Sequence, residues 1–165
     1  MNTYKLCLIG PSAVGKTSLI RQFVEGIFSE KYLTSIGVKI DKKQVSTESG
    51  DVLFLIWDIE GTDKFSGFNP RYLNGASAYI VVADQTQPSS VEDAIAIYQQ
   101  AIAASNSDVY LAINKNDLPP QVSEQQLECL TSLKFQRVIS TSAKTGENVS
   151  SLFTDIASSL LAKKL

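Results

Sequence analysis

The chain has 165 residues, 44% apolar and 19% charged, which suits one domain with a buried core and excludes a disordered chain. Fifteen basic against seventeen acidic side chains give a net charge of −2, so no basic excess exists to displace counterions from nucleic acid. Histidine is absent, which excludes Ser-His-Asp triads, Cys-His pairs and histidine-ligated zinc, and two cysteines, Cys7 and Cys129, are too few for a disulfide framework.

Tyr4–Gly10 is a short apolar run closed by Gly10-Pro11 and reads as a buried strand. Lys16–Glu25 carries Leu19, Ile20, Phe23 and Val24 at helical spacing. Gly37–Thr47 is an edge-type strand rich in lysine, and a turn at residues 48–51 pairs it antiparallel with a strand over Val52–Asp58. Ala78–Asp84 is another buried strand. Pro88 marks a helix start, with Val91, Ala94, Ile95, Tyr98 and Ile102 predicted on one face. Val109–Asn114 is a fifth strand. Ser123 caps a helix running through Leu133, with Gln126 as its capping-box partner. Val138–Ser140 is a short last strand, and Asn148 opens a terminal helix carrying Leu152, Phe153, Ile156 and Leu160. This alternation predicts a single α/β domain over 1–165, with a six-stranded, mostly parallel sheet, one antiparallel strand and helices on both faces. Ligands of such sheets bind beyond the carboxyl ends of the strands, where the candidate residues fall.

The strongest motif is Gly10-Pro-Ser-Ala-Val-Gly15-Lys16-Thr17, a match to G-x-x-x-x-G-K-[ST]. Glycines let backbone N–H groups along Ser12, Ala13, Val14 and Gly15 wrap phosphates, helped by the positive end of the helix that Lys16, Thr17 and Ser18 begin. Lys16 would reach the β- and γ-phosphates, and the Thr17 hydroxyl would ligate Mg²⁺. Asp58-Ile-Glu-Gly61 follows, with Asp58 suited to the Mg²⁺ shell and the Gly61 N–H to the γ-phosphate. Asn114-Lys115-Asn116-Asp117 closes the fifth strand. A carboxylate at Asp117 can accept from N1–H and the 2-amino group of guanine, a donor pair adenine lacks, so the contact selects the base. Asn114 would contact the purine and brace the loop, with the Lys115 stem against the ring. In Ser142-Ala143-Lys144 a backbone N–H could meet the guanine O6.

The order and spacing of these four motifs resemble the small GTPases of the Ras superfamily over nearly the whole chain, and the wording is most similar to the Rab branch. Ser12–Lys16, Ile36-Gly37-Val38, Leu55–Asp58, Tyr72–Ala76 and Ile80–Asp84 carry that likeness. The resemblance implies a P-loop G domain that binds GTP or GDP with Mg²⁺ and cycles between two states. It implies that Phe28 stacks on the guanine edge and that Ser35, where the family has threonine, ligates Mg²⁺ in the triphosphate state. Residues about 29–40 and 59–75 would be the switches read by effector and regulatory proteins, with Ile36, Phe65 and Phe68 as natural contacts. A monomer in the cytoplasm is expected, without nucleic acid and without a lipid anchor of its own in this chain.

Two residues depart from the family pattern. Thr62 stands at the position of the glutamine that orients the attacking water, and its short hydroxyl cannot reproduce a side-chain amide, so slow hydrolysis is expected. Glu60 replaces a small residue beside the γ-phosphate. It admits three readings: a solvated side chain, a substitute group acting on water, or a partner of Mg²⁺ or Lys16 in the diphosphate state. Catalytic roles would thus fall on Lys16, Glu60, Gly61 and Thr62. The alternatives are a catalytically impaired pseudo-GTPase serving as a nucleotide-bound scaffold, and an ATP-using P-loop kinase or ATPase, in which Asn114–Asp117 is incidental.

Overall fold

The computed structural model describes residues 1–29, 38–59 and 69–164. Among these residues six strands form one sheet: β1 Asn2–Ile9, β2 Val38–Thr47, β3 Gly50–Ile59, β4 Ala78–Asp84, β5 Asp108–Asn114 and β6 Val138–Ser140, in the order β2-β3-β1-β4-β5-β6. All neighbours are parallel except β2 and β3, as the hairpin signal predicted. Among the described residues four α-helices flank it: α1 Lys16–Glu25, α2 Pro88–Ala104, α3 Glu124–Thr131 and α4 Val149–Ala162.

Alternation along the strands divides the apolar side chains between two faces. Leu6, Leu8, Phe54, Ile56, Ile80 and Val82 meet α1 and α4 through Leu19, Ile20, Phe153 and Ile156. Cys7, Ile9, Tyr79, Val81, Leu111 and Ile113 meet α2 and α3 through Val91, Ala94, Ile97 and Leu130. β4 is buried along its whole length, which explains its unbroken apolar run. Full burial of each Leu, Ile or Phe contributes about 1.5–3 kcal/mol. Phe23 of α1 stacks on Phe153 of α4, ring centroids 3.9 Å apart, and joins the two helices on their shared face.

Several boundaries move. β1 begins at Asn2, because its first residues pair with Val52 and Leu53 of β3. α3 ends at Thr131, two residues short of Leu133, and its N-terminus carries the expected reciprocal bonds: Gln126 N–H to Ser123 Oγ at 3.1 Å and Ser123 N–H to Gln126 Oε1 at 3.0 Å. A 3₁₀ turn at Pro70–Leu73, not foreseen, is capped by the Asn69 side chain and buries Leu73. Ile102 was expected on the buried face of α2 but is exposed. Val91, Ala94 and Tyr98 are buried as expected, and Ser90, Ile97 and Ala101 are buried with them, so the last turn of the helix meets the sheet through the small Ala101.

Register brings the strand ends together. Leu8 lies opposite Asp58, Ile9 opposite Val81, and Asp84 opposite Asn114. The C-terminal ends of β1, β3, β4, β5 and β6 therefore lie along one edge of the sheet.

Candidate functional site

Residues 10–15 run from β1 into α1. Gly10 has φ +154°, and an added Cβ would lie 2.5 Å from the Val82 carbonyl oxygen, so the loop crosses β4 at a distance only glycine permits. Gly15, φ +99°, precedes α1 as its N-cap, and a Cβ there would stand 2.3 Å from Asn114 Nδ2. The two glycines of the motif are thus required by close approach to the sheet and to the second motif, as well as by the turn.

Lys16 is buried. Its ammonium donates to the carbonyls of Gly10 at 3.1 Å and Pro11 at 3.0 Å, so the side chain folds back over its own loop. Burial pushes its pKa down to about 8, with the Asp58 carboxylate opposing the shift. The next side chain, Thr17, donates its hydroxyl to Asp58 Oδ2 at 2.6 Å, and Asp58 is 1% exposed at the end of β3. The pair supplies hard oxygen atoms. Among the described residues no group of three or more His, Cys, Asp or Glu could hold a metal by itself. An ion here would take phosphate oxygens and water for its other ligands, which is the habit of Mg²⁺.

Asn114 ends β5, 1% exposed, and spends its side chain inside the protein. Its Nδ2 donates to Val14 O at 2.9 Å, and its Oδ1 accepts from Thr141 Oγ1 at 3.1 Å and from Ala143 N–H at 3.3 Å. Of the two roles expected for it, the structure displays the brace. Lys115 reaches back to Ala13 O at 3.2 Å. Asp117 is exposed and accepts from Ser142 Oγ at 2.8 Å, a bond that fixes the direction of the carboxylate. The N–H of Ser142 donates to Glu147 O at 3.1 Å, so it and the Ala143 N–H are both engaged within the protein. Phe28, 37% exposed, follows α1. Ser12, Ser18 and Lys144 fall in the loop, in α1 and in the segment after β6. Ser35, Ile36, Glu60, Gly61, Thr62, Phe65 and Phe68 lie outside the described residues.

Four contributors were missed in the sequence reading. Thr141 is wholly buried beside Asn114. Gln22 of α1 donates to Ala143 O at 2.8 Å. Glu147 accepts from Asn116 Nδ2 at 3.0 Å. Asp84 pairs with Lys115. Only Asp84 had a cue, as a carboxylate closing an apolar strand just as Asp58 does.

A glycine loop leading from the first strand into a helix, docked against polar strand ends of a mostly parallel sheet, is the architecture of a phosphate-loop nucleotide-binding protein of the α/β class. The Ras family model matches residues 5–162, and the chain belongs to that family. It is 31% identical over 163 residues to the Ras-related protein SEC4 of Candida albicans, covering 96% of this chain and 78% of that one. It is 34% identical over 160 residues to the Ras-related protein RABF2a of Arabidopsis thaliana, with 94% and 80% covered. A third relative, the Ras-related protein Rab-5A of Dictyostelium discoideum, is 34% identical over 161 residues, with 95% and 80% covered. Within its family the chain is Rab-like, a small GTP-binding protein. Among the described residues no helix is long and apolar enough to cross a membrane.

Proposed function

We propose that the chain is a guanine-nucleotide-dependent switch that cycles between GDP and GTP with Mg²⁺ and hydrolyses GTP slowly. The observation that carries this reading is the direct fastening of the phosphate loop to the base-reading loop by Asn114 Nδ2 and Val14 O. It joins an amide cradle for the phosphates to a carboxylate able to select a 2-aminopurine. Residues 12–18 would hold the phosphates, with Lys16 leaving the Gly10 and Pro11 carbonyls for phosphate oxygens. Asp117 would accept from N1–H and the 2-amino group, and Phe28, Lys115 and residues 142–144 would frame the base. Thr17 and Asp58, joined by Ser35, would hold Mg²⁺, which supplies charge neutralisation across the β- and γ-phosphates.

Hydrolysis would be slow because Thr62 cannot orient water as an amide does, and Gly61 would bond the γ-phosphate. Effector and regulatory proteins would read residues about 29–40 and 59–75 of a cytoplasmic monomer. Ile40, 50% exposed beside Trp57, belongs to that surface. A pseudo-GTPase scaffold is favoured instead by Glu60 and Thr62 together, the two departures from the family pattern.

Two measurements test the reading. Purified protein should retain GDP over ADP, and Asp117→Ala should abolish the preference; retention of ADP, or an unchanged preference in the variant, overturns it. Single-turnover GTP cleavage should be slow and accelerate in Thr62→Gln. Cleavage already as fast as in a glutamine-bearing relative, with no gain in the variant, refutes the role of Thr62. No phosphate release over hours, with or without activating proteins, establishes the scaffold.

A further inference from the structure

Asp84 ends β4 fully buried, yet phosphate, base and Mg²⁺ binding assign it no task. Its surroundings are built with care. Oδ1 accepts from Thr86 N–H at 2.8 Å and Thr86 Oγ1 at 2.7 Å. The backbone of Asp84 is held by Ser90 of α2, whose hydroxyl accepts from Asp84 N–H at 3.1 Å and donates to Asp84 O at 2.9 Å. Oδ2 forms an ion pair with Lys115 Nζ at 2.7 Å. That same ammonium donates to Ala13 O.

Ala13 and Lys115 share an unusual backbone. Both are non-glycine residues in the left-handed region, at φ 66° and 68°, in the two loops that face each other. Such conformations persist only where the surroundings hold them. A lysine ammonium on a flexible stem, about a third exposed, has water as a competing partner. The buried carboxylate removes that freedom and aims the ammonium at Ala13.

We propose that Asp84 is a positioning residue: acting through Lys115, it clamps the phosphate loop at Ala13 to the base-reading loop, so that the two open together when nucleotide leaves. The inference rests on the nucleotide site proposed above. The clamp itself is a property of the protein alone and is measured without ligand as well.

The test uses Asp84→Asn, which keeps an oxygen for Thr86 and removes the charge, and Lys115→Met, which keeps the apolar stem and removes the ammonium. Each single variant should raise the GDP dissociation rate roughly tenfold, the scale of one charge-assisted hydrogen bond. The double variant should be no faster than Lys115→Met, since both break one linkage. In nucleotide-free protein, deuterium exchange across residues 10–15 should rise in either variant and rise no further in the double. Rates that multiply in the double variant would show Asp84 acting through the general fold and overturn the proposal, as would unchanged exchange in Asp84→Asn. If Asp84→Asn does not fold, Lys115→Arg, which retains the ion pair, decides: release slower than in Lys115→Met supports the clamp, and equal release refutes it. Failure of the wild type to hold GDP sinks the nucleotide reading, and the exchange measurement still judges the clamp.

Discussion

Asn114→Ala offers a direct test of where the site gets its rigidity. The substitution leaves three groups without their present partner: Val14 O, Thr141 Oγ1 and Ala143 N–H. All three belong to buried residues. A buried polar group stripped of its partner costs about 1–3 kcal/mol, so the loss is about 3–9 kcal/mol if each remains unpaired. A water entering the vacated space would recover part of it and bring the figure toward about 3 kcal/mol. Against a typical total of about 5–15 kcal/mol, even the lower figure is a large share. Bound nucleotide stabilises the native state by mass action and would mask the loss, so the assay is urea unfolding of nucleotide-free protein. The expected result is a lower midpoint at unchanged slope. Asn116→Ala serves as the comparison, since it removes one exposed side-chain bond, to Glu147, and should cost less than about 1 kcal/mol. If Asn114→Ala unfolds at the wild-type urea concentration while releasing GDP faster, Asn114 works on the ligand and the bracing argument is wrong.

Gly15→Ala combines a left-handed backbone with a Cβ placed 2.3 Å from Asn114 Nδ2. It should raise the GDP dissociation constant by at least about tenfold, the equivalent of 1.4 kcal/mol, and affinity equal to wild type in isothermal titration would contradict the packing described. The two thiols should separate by reactivity. Cys129 is exposed, whereas Cys7 is buried with its pKa pushed up to about 12. An aromatic disulfide reagent at pH 8 should therefore titrate one thiol rapidly in native protein and two after unfolding. Alkaline pH should weaken the fold. Cys7 and Tyr79 both have native pKa values raised to about 12 by burial, from 9.0 and 10.0, so the unfolded chain loses those protons first. The contribution is intact below about pH 9 for Cys7 and below about pH 10 for Tyr79, and from there to pH 12 each falls by at most about 1.4 kcal/mol per pH unit. The Tyr79 hydroxyl has no hydrogen-bond partner among the described residues, so Tyr79→Phe should cost nothing at pH 7 and flatten the alkaline decline. A variant that is less stable at pH 7 would show a missed partner.

The phosphate loop was readable in the sequence because its chemistry constrains both residue type and spacing: two glycines, a lysine and a hydroxyl, with a strand before and a helix after. The six strands and the antiparallel hairpin followed from periodicity and a turn. What stayed illegible is of a different kind. Gln22 lies on a helix whose polar positions look solvent-facing, and nothing local says that its amide reaches Ala143, 121 residues away. Asp84 reads as the punctuation of a strand until β5 is laid beside it and Lys115 comes within 2.7 Å. The stripe on α2 was misplaced only at its last turn, where periodicity favours the large Ile102 and the sheet is met by the small Ala101.

The motifs therefore locate the groups that would touch a nucleotide, and the long-range polar contacts decide how firmly those groups are held. Asn114 and Lys115 are consecutive, and each bonds a different carbonyl of the same loop, Val14 and Ala13. Adjacent residues on one side meeting adjacent residues on the other leave little freedom for either loop to shift alone. Loosening the base-reading loop should then be felt at the phosphates, and the converse, even with every residue that touches nucleotide left in place. A regulator that releases nucleotide from such a site need not enter the base pocket. Displacing Ala13 by an ångström would break its contact with Lys115 and put the base-reading loop within reach of the same push.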